Sequence, residues 1–278
     1  MNMTSWTIQN KRGLDLIGDS HTPDNEPKAC AILLHGLKGY KDYGFIPVMA
    51  HDLCESGCIV HRFNSSTSGM TNEIETFARP DLFELDTWNR QVEDMRCVIE
   101  AIANNKLIGN GLPLFLIGHS RGGGTALLTA GRHHDELSLS GVITINGVNT
   151  CCSMEQSRQD EMLKNGFIVS ESARTKQALR VSSGWMSEQL DDPEGHDILA
   201  LAKRIKSAVC VIQGEDDQVV KSEVGIAIAN ACSTSCHLIP GGDHVLNMRN
   251  PSDIASDRSQ QLLMVLEIIT RFISKHAR

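Results

Sequence analysis

The sequence has few aromatic residues, no long apolar run and no excess of basic charge. Phe, Trp and Tyr together make up 4% of the 278 residues, so no broad lipid-binding surface is expected. No apolar stretch approaches the roughly 20 residues that a helix needs to span a bilayer. The N-terminal segment MNMTSWTIQNKRG has no apolar signal-peptide core. These absences predict a cytoplasmic protein that does not act on membranes.

The charge balance and the cysteines exclude two further classes of protein. The formal net charge is −8, which leaves no surplus of Lys and Arg to neutralise nucleic-acid phosphates. None of the nine cysteines has C-x-x-C spacing, and no His cluster completes a zinc set, so no metal site is predicted. Cys30, Cys58 and Cys210 lie in apolar runs and are expected to pack as small buried hydrophobic residues.

Apolar runs alternate with helical patterns, which predicts an α/β fold with a mostly parallel sheet flanked by helices. A hairpin is predicted at 5–9 and 14–18. Further strands are predicted at 29–35, 58–63, 114–117, 142–145, 209–213 and 236–239, and helices at 45–56, 85–104 and 260–273.

The most informative stretch is LPLFLIGHSRGGG, at residues 112–124. An apolar run that reads as a strand leads into G-H-S-R-G, and a helical pattern follows at once. This context, with Ser120 at the apex, is typical of a nucleophile elbow. The turn strains the serine backbone so that Oγ projects from the sheet, and the two glycines allow the strand and the helix to pack closely. The helix N-terminus favours a developing negative charge.

A serine hydroxyl becomes a nucleophile when a base, usually a histidine oriented by a carboxylate, takes its proton. Three adjacent acids, Glu215, Asp216 and Asp217, follow the predicted strand VCVIQ. Of the eleven histidines, His244 alone follows the last predicted strand, in a G-G-D-H turn. Because parallel strands place their carboxyl ends at one edge of the sheet, an acid and this histidine are expected near Ser120.

Five segments resemble the α/β-hydrolase superfamily: GHSRGG, GEDDQVV, GGDHVL, HGLKGYKDYGFIPVMAHDLCESG and CIVHRFNSSTSG. The resemblance covers about residues 29–275 and extends to small bacterial serine esterases and to dienelactone-hydrolase-like or S33-peptidase-like proteins. It implies an α/β-hydrolase fold in which Ser, acid and His follow in that order. The family pattern G-x-x-D-x-x-V selects Asp217 as the acid, with Asp216 as the alternative. Gln213 stands where many relatives have a histidine outside the triad.

An oxyanion hole requires two N–H donors. The resemblance implies that these are the backbone N–H of Arg121, directly after the serine, and that of Leu37, in the His-Gly loop after the first buried strand. The side chain of His35 is expected to be bonded within that loop rather than to act as a base.

Residues 148–196 interrupt the alternation, because they are polar and lack a strong strand pattern. We interpret them as a small helical cap inserted into a core formed by 1–147 and 197–278, since loops of this length are usually functional. The alternative is a loop without a role. Trp185 and Met186 are the predicted pocket residues in this segment, and Trp185 could instead pin the cap to the core.

These observations predict a serine hydrolase that cleaves a carboxylic ester of short to medium acyl chain through an acyl-enzyme. Ser120, Asp217 and His244 form the predicted catalytic triad, and neither a cofactor nor a metal is expected. An acyl thioesterase, a small-peptide or amide hydrolase, and an inactive scaffold that binds a ligand are the alternatives. The expected partner is a small-molecule ester, with no nucleic acid and no membrane, and the sequence leaves the oligomeric state open.

Overall fold

Strands and helices alternate along the residues that the structure, a computed structural model, describes, which are 1–252 and 254–277. The strands are β1 (Asn2–Gln9), β2 (Asp15–Thr22), β3 (Ala29–Leu34), β4 (Cys58–Asn64), β5 (Leu114–His119), β6 (Gly141–Ile145), β7 (Phe167–Glu171), β8 (Ala178–Ser182), β9 (Ala208–Gly214) and β10 (Cys236–Ile239). The helices are α1 (Ile46–Glu55), α2 (Pro80–Glu84), α3 (Trp88–Ala103), α4 (Arg121–Arg132), α5 (Gln156–Asn165), α6 (Gly184–Asp191), α7 (Ile198–Ala202), α8 (Ser222–Ala231) and α9 (Gln260–His276).

The central sheet has eight strands in the order β1-β2-β4-β3-β5-β6-β9-β10. The pairings β1–β2 and β2–β4 are antiparallel, and the others are parallel. Every residue of β3 is buried, as expected for a strand covered on both faces. Alternate residues of β3 enter two different cores, with Ile32 packed on one face and Ala31 on the other. The predicted α/β fold is confirmed.

Helices cover both faces of this sheet. Apolar residues of α3, α4, α7 and α8 build the core on one face, and those of α1 and α9 build the core on the other. Helix α3 begins three residues later than predicted because Thr87 caps it, its side chain accepting the N–H of Arg90. None of the described helices is both long enough and apolar enough to cross a bilayer.

Residues 148–196 contain two helices, α5 and α6, and also a two-stranded antiparallel sheet of β7 and β8. The sequence analysis did not predict this hairpin, because its strands FIVSE and ALRVS are only five residues long and stand in a largely polar segment. Contacts outside the hairpin stabilise it, as an isolated two-stranded sheet requires. Leu179 of β8 packs with Phe77 and Phe83, and Ile168 of β7 packs with Met162 and Met186.

Candidate active site

Ser120 lies where strand β5 ends and helix α4 begins. Its backbone has φ 54° and ψ −122°, a conformation that residues with a Cβ rarely adopt. Two hydrogen bonds hold it, because the Ser120 N–H donates to the Ile145 carbonyl at 2.9 Å and the Ser120 carbonyl accepts the Gly123 N–H at 2.9 Å. A strained turn is therefore present at the N-terminus of a helix of 12 residues.

Two glycines make this turn possible by close contact. A Cβ added to Gly118 would lie 2.1 Å from the carbonyl oxygen of Gly122. A Cβ added to Gly122 would lie 2.6 Å from the carbonyl oxygens of Leu34 and His35. Any side chain at either position would push the helix away from the sheet, which explains the spacing of the G-x-S-x-G motif.

Asp217 and His244 are joined by a hydrogen bond of 2.8 Å between Oδ2 and Nδ1. The other oxygen of Asp217 accepts the N–H groups of Val219 and Val220 at 2.7 and 2.9 Å. Burial would raise the pKa of Asp217, but the hydrogen bonds from His244 and from these two N–H groups outweigh it and hold the pKa below its usual value. The ionised carboxylate accepts a hydrogen bond from Nδ1–H, so the lone pair of the neutral imidazole lies on Nε2 of His244.

The neighbours of Asp217 differ from it in environment. Glu215 and Asp216 are exposed, and neither carboxylate bonds to His244 within the described part of the chain. Gln213 is buried and donates from Nε2 to the Val220 carbonyl at 2.8 Å. Gln213 therefore helps to fix the loop that carries Asp217.

Asn146, at the end of β6, is a site residue that the sequence analysis missed. Its Nδ2 donates to the carbonyls of Asp243 and His244 at 3.1 and 3.0 Å, and its Oδ1 accepts the Gly214 N–H at 2.7 Å. It is fully buried and has a φ of 50°. Asn146 thus ties the loop of the acid to the loop of the histidine. The available signal was an Asn-Gly pair directly after a buried strand, since Asn tolerates this backbone conformation.

His119 also holds the backbone of His244. Its Nε2 lies 2.7 Å from the His244 carbonyl, an acceptor, so Nε2 carries the proton. Burial, together with the charge on His244, lowers the pKa of His119 to about 3. Its ring packs edge-on against Phe45, with centroids 5.1 Å apart. His119 is neutral and positions the backbone of the candidate base.

The loop after β3 lies against Ser120. A Cβ added to Gly36 would be 3.0 Å from the Cβ of Ser120. The His35 ring is buried, with Nδ1 at 2.8 Å from the Gly36 carbonyl and Nε2 accepting the Ser65 N–H at 3.2 Å. Both ring nitrogens are therefore used inside the fold. Burial lowers the pKa of His35, so the ring is a neutral support for the loop.

The backbone N–H groups of Leu37 and Arg121 are the two expected oxyanion donors. Among residues 1–252 and 254–277, neither the N–H of Leu37 nor that of Arg121 donates a hydrogen bond. Arg121 is the first residue of α4, where N–H groups have no partner within the helix, and Leu37 lies in the loop beside Ser120, so both N–H groups are available to a substrate oxygen. In the same part of the chain Ser120 Oγ has no hydrogen-bond partner, and the ring of His244 is bonded through Nδ1 alone.

A cavity of about 390 Å³ brings these groups together. The oxyanion loop, Ser120 and His244 contribute to its wall, and Trp185 closes part of it from the 148–196 segment. Its remaining lining residues are Tyr43, Trp88, His119, Arg121, Val148, Thr150, Cys151, Ser153, Val219 and Val220. A larger groove of about 620 Å³ lies between β1 and α3; it is lined by none of the predicted site residues.

Met186 does not lie on the wall of the described cavity, which corrects the predicted pocket. Helix α6 turns it inward, where it is buried against Met162 and Ile168. Adjacent residues on a helix point about 100° apart, and on α6 this directs Trp185 to the cavity and Met186 into the cluster.

The fold and the elbow geometry define a protein of the α/β-hydrolase class. A family model described as serine aminopeptidase, S33, matches residues 25–158. A second, described as BAAT / acyl-CoA thioester hydrolase C terminal, matches residues 106–235. A comparison with curated proteins gives no match. The chain has the α/β-hydrolase fold, and the two family matches confirm the predicted resemblance to that superfamily.

Solved structures agree with this fold over almost the whole chain. Est1E from Butyrivibrio proteoclasticus has a TM-score of 0.69 at 15% identity, with 98% of both chains covered. The α/β hydrolase GrgF from Penicillium sp. sh18 has a TM-score of 0.75 at 13% identity, covering 100% of this chain and 99% of the other. A soluble variant of monoglyceride lipase from Saccharomyces cerevisiae has a TM-score of 0.69 at 17% identity, covering 99% and 95%.

Replacing Asp217 by Asn should lower kcat for ester hydrolysis by roughly 10⁴, because an amide does not fix the same imidazole tautomer or stabilise its cation. Asp216→Asn is the matched control, since this neighbour is exposed, and it should stay near the wild-type rate. Initial rates on a p-nitrophenyl ester measure both. The reverse ranking would assign the acid to Asp216.

Replacing Asn146 by Gly should lower kcat about tenfold with little change in KM, because the loops of the acid and the histidine lose the side chain that joins them. The three lost hydrogen bonds are each worth about 1 kcal/mol of stability, and only a part of that total is expected to affect the transition state. Glycine keeps the left-handed backbone and removes only the side chain. Asn105→Gly, at an exposed residue with φ 57°, is the matched control. An unchanged kcat with a lowered melting temperature would give Asn146 a role in stability alone.

Proposed function

We propose that the protein is a serine hydrolase that cleaves carboxylic esters of short to medium acyl chain through an acyl-enzyme. One observation carries the proposal: a serine held in a strained elbow shares a cavity wall with an imidazole whose Nδ1 is bonded to a buried carboxylate. That arrangement supplies a nucleophile, a base and the group that orients the base.

In the proposed mechanism, Ser120 Oγ attacks the carbonyl carbon of the ester and His244 Nε2 takes the hydroxyl proton. Asp217 stabilises the imidazolium that forms. The imidazolium then returns the proton to the leaving alcohol, and the acyl group stays on Ser120. A water molecule, deprotonated by His244, then attacks the acyl carbon. The bond between that carbon and Ser120 Oγ breaks, the acid is released, and the imidazolium returns its proton to Oγ. Catalytic hydrogen bonds commonly tighten only when substrate is bound.

The unpaired N–H groups of Leu37 and Arg121 support an oxyanion hole. The carbonyl oxygen becomes negative in the tetrahedral intermediate, and donors fixed in advance stabilise that charge. The N-terminus of α4 adds its dipole at the same place. No step of this mechanism requires a cofactor.

Cys151 is a second nucleophilic side chain on the same cavity wall. Burial raises the pKa of its thiol to about 12. Since the thiolate is the reactive form, Cys151 is a weak nucleophile at neutral pH. The strained turn and the helix N-terminus both favour Ser120 instead.

Acyl thioesters are the second candidate substrates. The specific observation in favour is the match of residues 106–235 to the acyl-CoA thioester hydrolase description. The acyl-enzyme mechanism applies unchanged, with a thiol in place of the alcohol as leaving group. A panel of p-nitrophenyl esters, acyl-CoAs and aminoacyl amides at equal concentration distinguishes the candidates by kcat/KM, and the ester series is expected to be fastest.

Replacing Ser120 by Ala should lower kcat by about a millionfold, the scale of loss typical for a triad nucleophile. It should also abolish covalent labelling by a fluorophosphonate. Ser153→Ala, at another serine of the same cavity, is the matched control and should retain both. Wild-type protein that neither labels nor hydrolyses any ester would instead identify an inactive scaffold.

Replacing Trp185 by Ala should shift chain-length preference, because this ring closes one side of a cavity of about 390 Å³. We expect kcat/KM for a p-nitrophenyl octanoate to rise roughly tenfold relative to butyrate, in line with the selectivity that apolar pocket contacts provide. Leu190→Ala, exposed on the same helix, is the control. An unchanged ratio with lowered stability would make Trp185 a packing residue, and a wild-type preference for palmitate would contradict the short-chain proposal.

A further inference from the structure

Lys38 connects the loop after β3 to the hairpin of β7 and β8. Its Nζ donates to Ser170 Oγ at 2.8 Å and to the main-chain carbonyl of Glu171 at 2.6 Å. Both acceptors lie at the end of β7, in a segment more than 130 residues away along the chain. Lys38 directly follows Leu37, whose N–H is the proposed oxyanion donor. A single side chain therefore spans the distance between the cap and the oxyanion loop.

The backbone at Lys38 is unusual for a lysine. Residues 36–39 form a turn closed by a hydrogen bond of 3.0 Å from the Gly39 N–H to the Gly36 carbonyl. Lys38 occupies the third position with a φ of 59°. Turns with a positive φ at this position normally have Gly or Asn there, because a Cβ disfavours it. The backbone conformation therefore does not explain why a lysine stands at this position. The explanation lies in the contacts of its side chain.

The ammonium group of Lys38 is not held there by an ion pair within the described residues. Within the described residues no carboxylate lies within ion-pair distance of Lys38, and its two acceptors are a hydroxyl and a carbonyl. Burial lowers the pKa of Lys38, and the charge of Glu171 only partly opposes this. A half-buried lysine without an ionic partner gains little from electrostatics. The contribution of Lys38 at this position therefore comes from its two directional hydrogen bonds to Ser170 and Glu171.

A second contact joins the same loop to the same hairpin. Tyr40, two residues further on, is buried in a small cluster that includes Leu179 of β8. The oxyanion loop is thus attached to the hairpin by a polar contact on one side of Gly39 and an apolar contact on the other. The hairpin cannot be displaced without breaking both.

We propose that Lys38 is a positioning residue that couples the cap to the oxyanion hole: its bonds to β7 hold the 36–39 turn in the form that aims the Leu37 N–H at the substrate oxygen. The inference rests on the proposed function, in which that N–H stabilises the oxyanion. It predicts that the oxyanion hole is complete only while the hairpin stays in place over the loop.

Three variants distinguish the effect of the Lys38 side-chain bonds, here called the tether, from the effect of the turn at 36–39. Lys38→Gly removes the side chain and suits the positive φ better than lysine does. Lys38→Met keeps the stem and removes the donors, and Ser170→Ala removes one of the two acceptors. Lys176→Gly is the matched control, because this exposed lysine of the same hairpin has a φ of 60°, and no side-chain bond is found for it in the described chain.

The expected result is that Lys38→Gly and Lys38→Met lower kcat about tenfold with KM changed much less, a part of the loss seen when an oxyanion donor is removed outright. Inhibition by an alkyl boronic acid, whose tetrahedral adduct places an oxygen in the oxyanion position, should weaken by the same factor. Ser170→Ala should have a smaller effect in the same direction, and Lys176→Gly none.

Hydrogen exchange at the Gly39 amide provides a readout that does not need turnover. This amide closes the turn, so it should exchange faster in Lys38→Met than in the wild type or in Lys176→Gly. Unchanged exchange, or a Lys38→Gly variant as active as the wild type, would overturn the inference even if the protein is an esterase. A wild type inactive on every ester, with faster exchange in Lys38→Met, would overturn the proposed function and leave the tether established.

Discussion

The approach of backbone to backbone at two glycines is the constraint on which the site depends. Gly122 brings helix α4 against the end of β3, and a Cβ there would meet the carbonyls of Leu34 and His35. Gly214 allows a similarly close approach between the two loops that carry the acid and the histidine. A Cβ added at Gly214 would lie 2.3 Å from the Gly242 carbonyl oxygen. Four loops from distant parts of the chain converge because these two positions have no side chain.

A buried ionic network fixes the far end of the oxyanion loop. Lys41 Nζ lies 2.8 Å from carboxylate oxygens of both Asp19 and Asp42. Arg62 bonds the same two acids and lies 2.9 Å from Asp19. Buried pairs of this kind contribute little net stability, because desolvation offsets the attraction, but removing one partner is costly. The network therefore anchors Lys41, at the far end of the loop, to Asp19 of β2 and Arg62 of β4.

The parts of the molecule that sequence could predict are those that local pattern determines. The buried strands of the sheet stand out as apolar runs, and the elbow at Ser120 follows from glycine spacing within a strand–turn–helix context. The β7–β8 hairpin was missed, because its strands are short and lie in a polar segment, and packing of Leu179 and Ile168 against distant residues helps to stabilise it. The prediction that Met186 lines the pocket was wrong for a related reason. Which way a helix face points depends on what the helix packs against.

Contacts between loops could not be predicted from the sequence either. Asn146 is one polar residue after one strand, and its role exists only because the loops containing Gly214 and His244 pass on either side of it. Nothing in the local sequence around Asn146 specifies those neighbours. Lys38 and Ser170 are similarly unrelated in sequence, and only the folded chain brings them to 2.8 Å.

The residues that hold the proposed site in place fall into two groups, one in the core and one in the 148–196 segment. Asp217 and His244 are held by core groups, namely Asn146, His119 and Gln213, none of which belongs to the 148–196 segment. The oxyanion loop and the cavity wall, by contrast, depend on that segment through Lys38 and Trp185. Under the proposed function, changes in the 148–196 segment would therefore alter acyl selectivity and oxyanion geometry while the acid and the base stay in place. In the proposed mechanism this separates the proton transfer, which requires a fixed imidazole, from substrate recognition, which the cap can adjust.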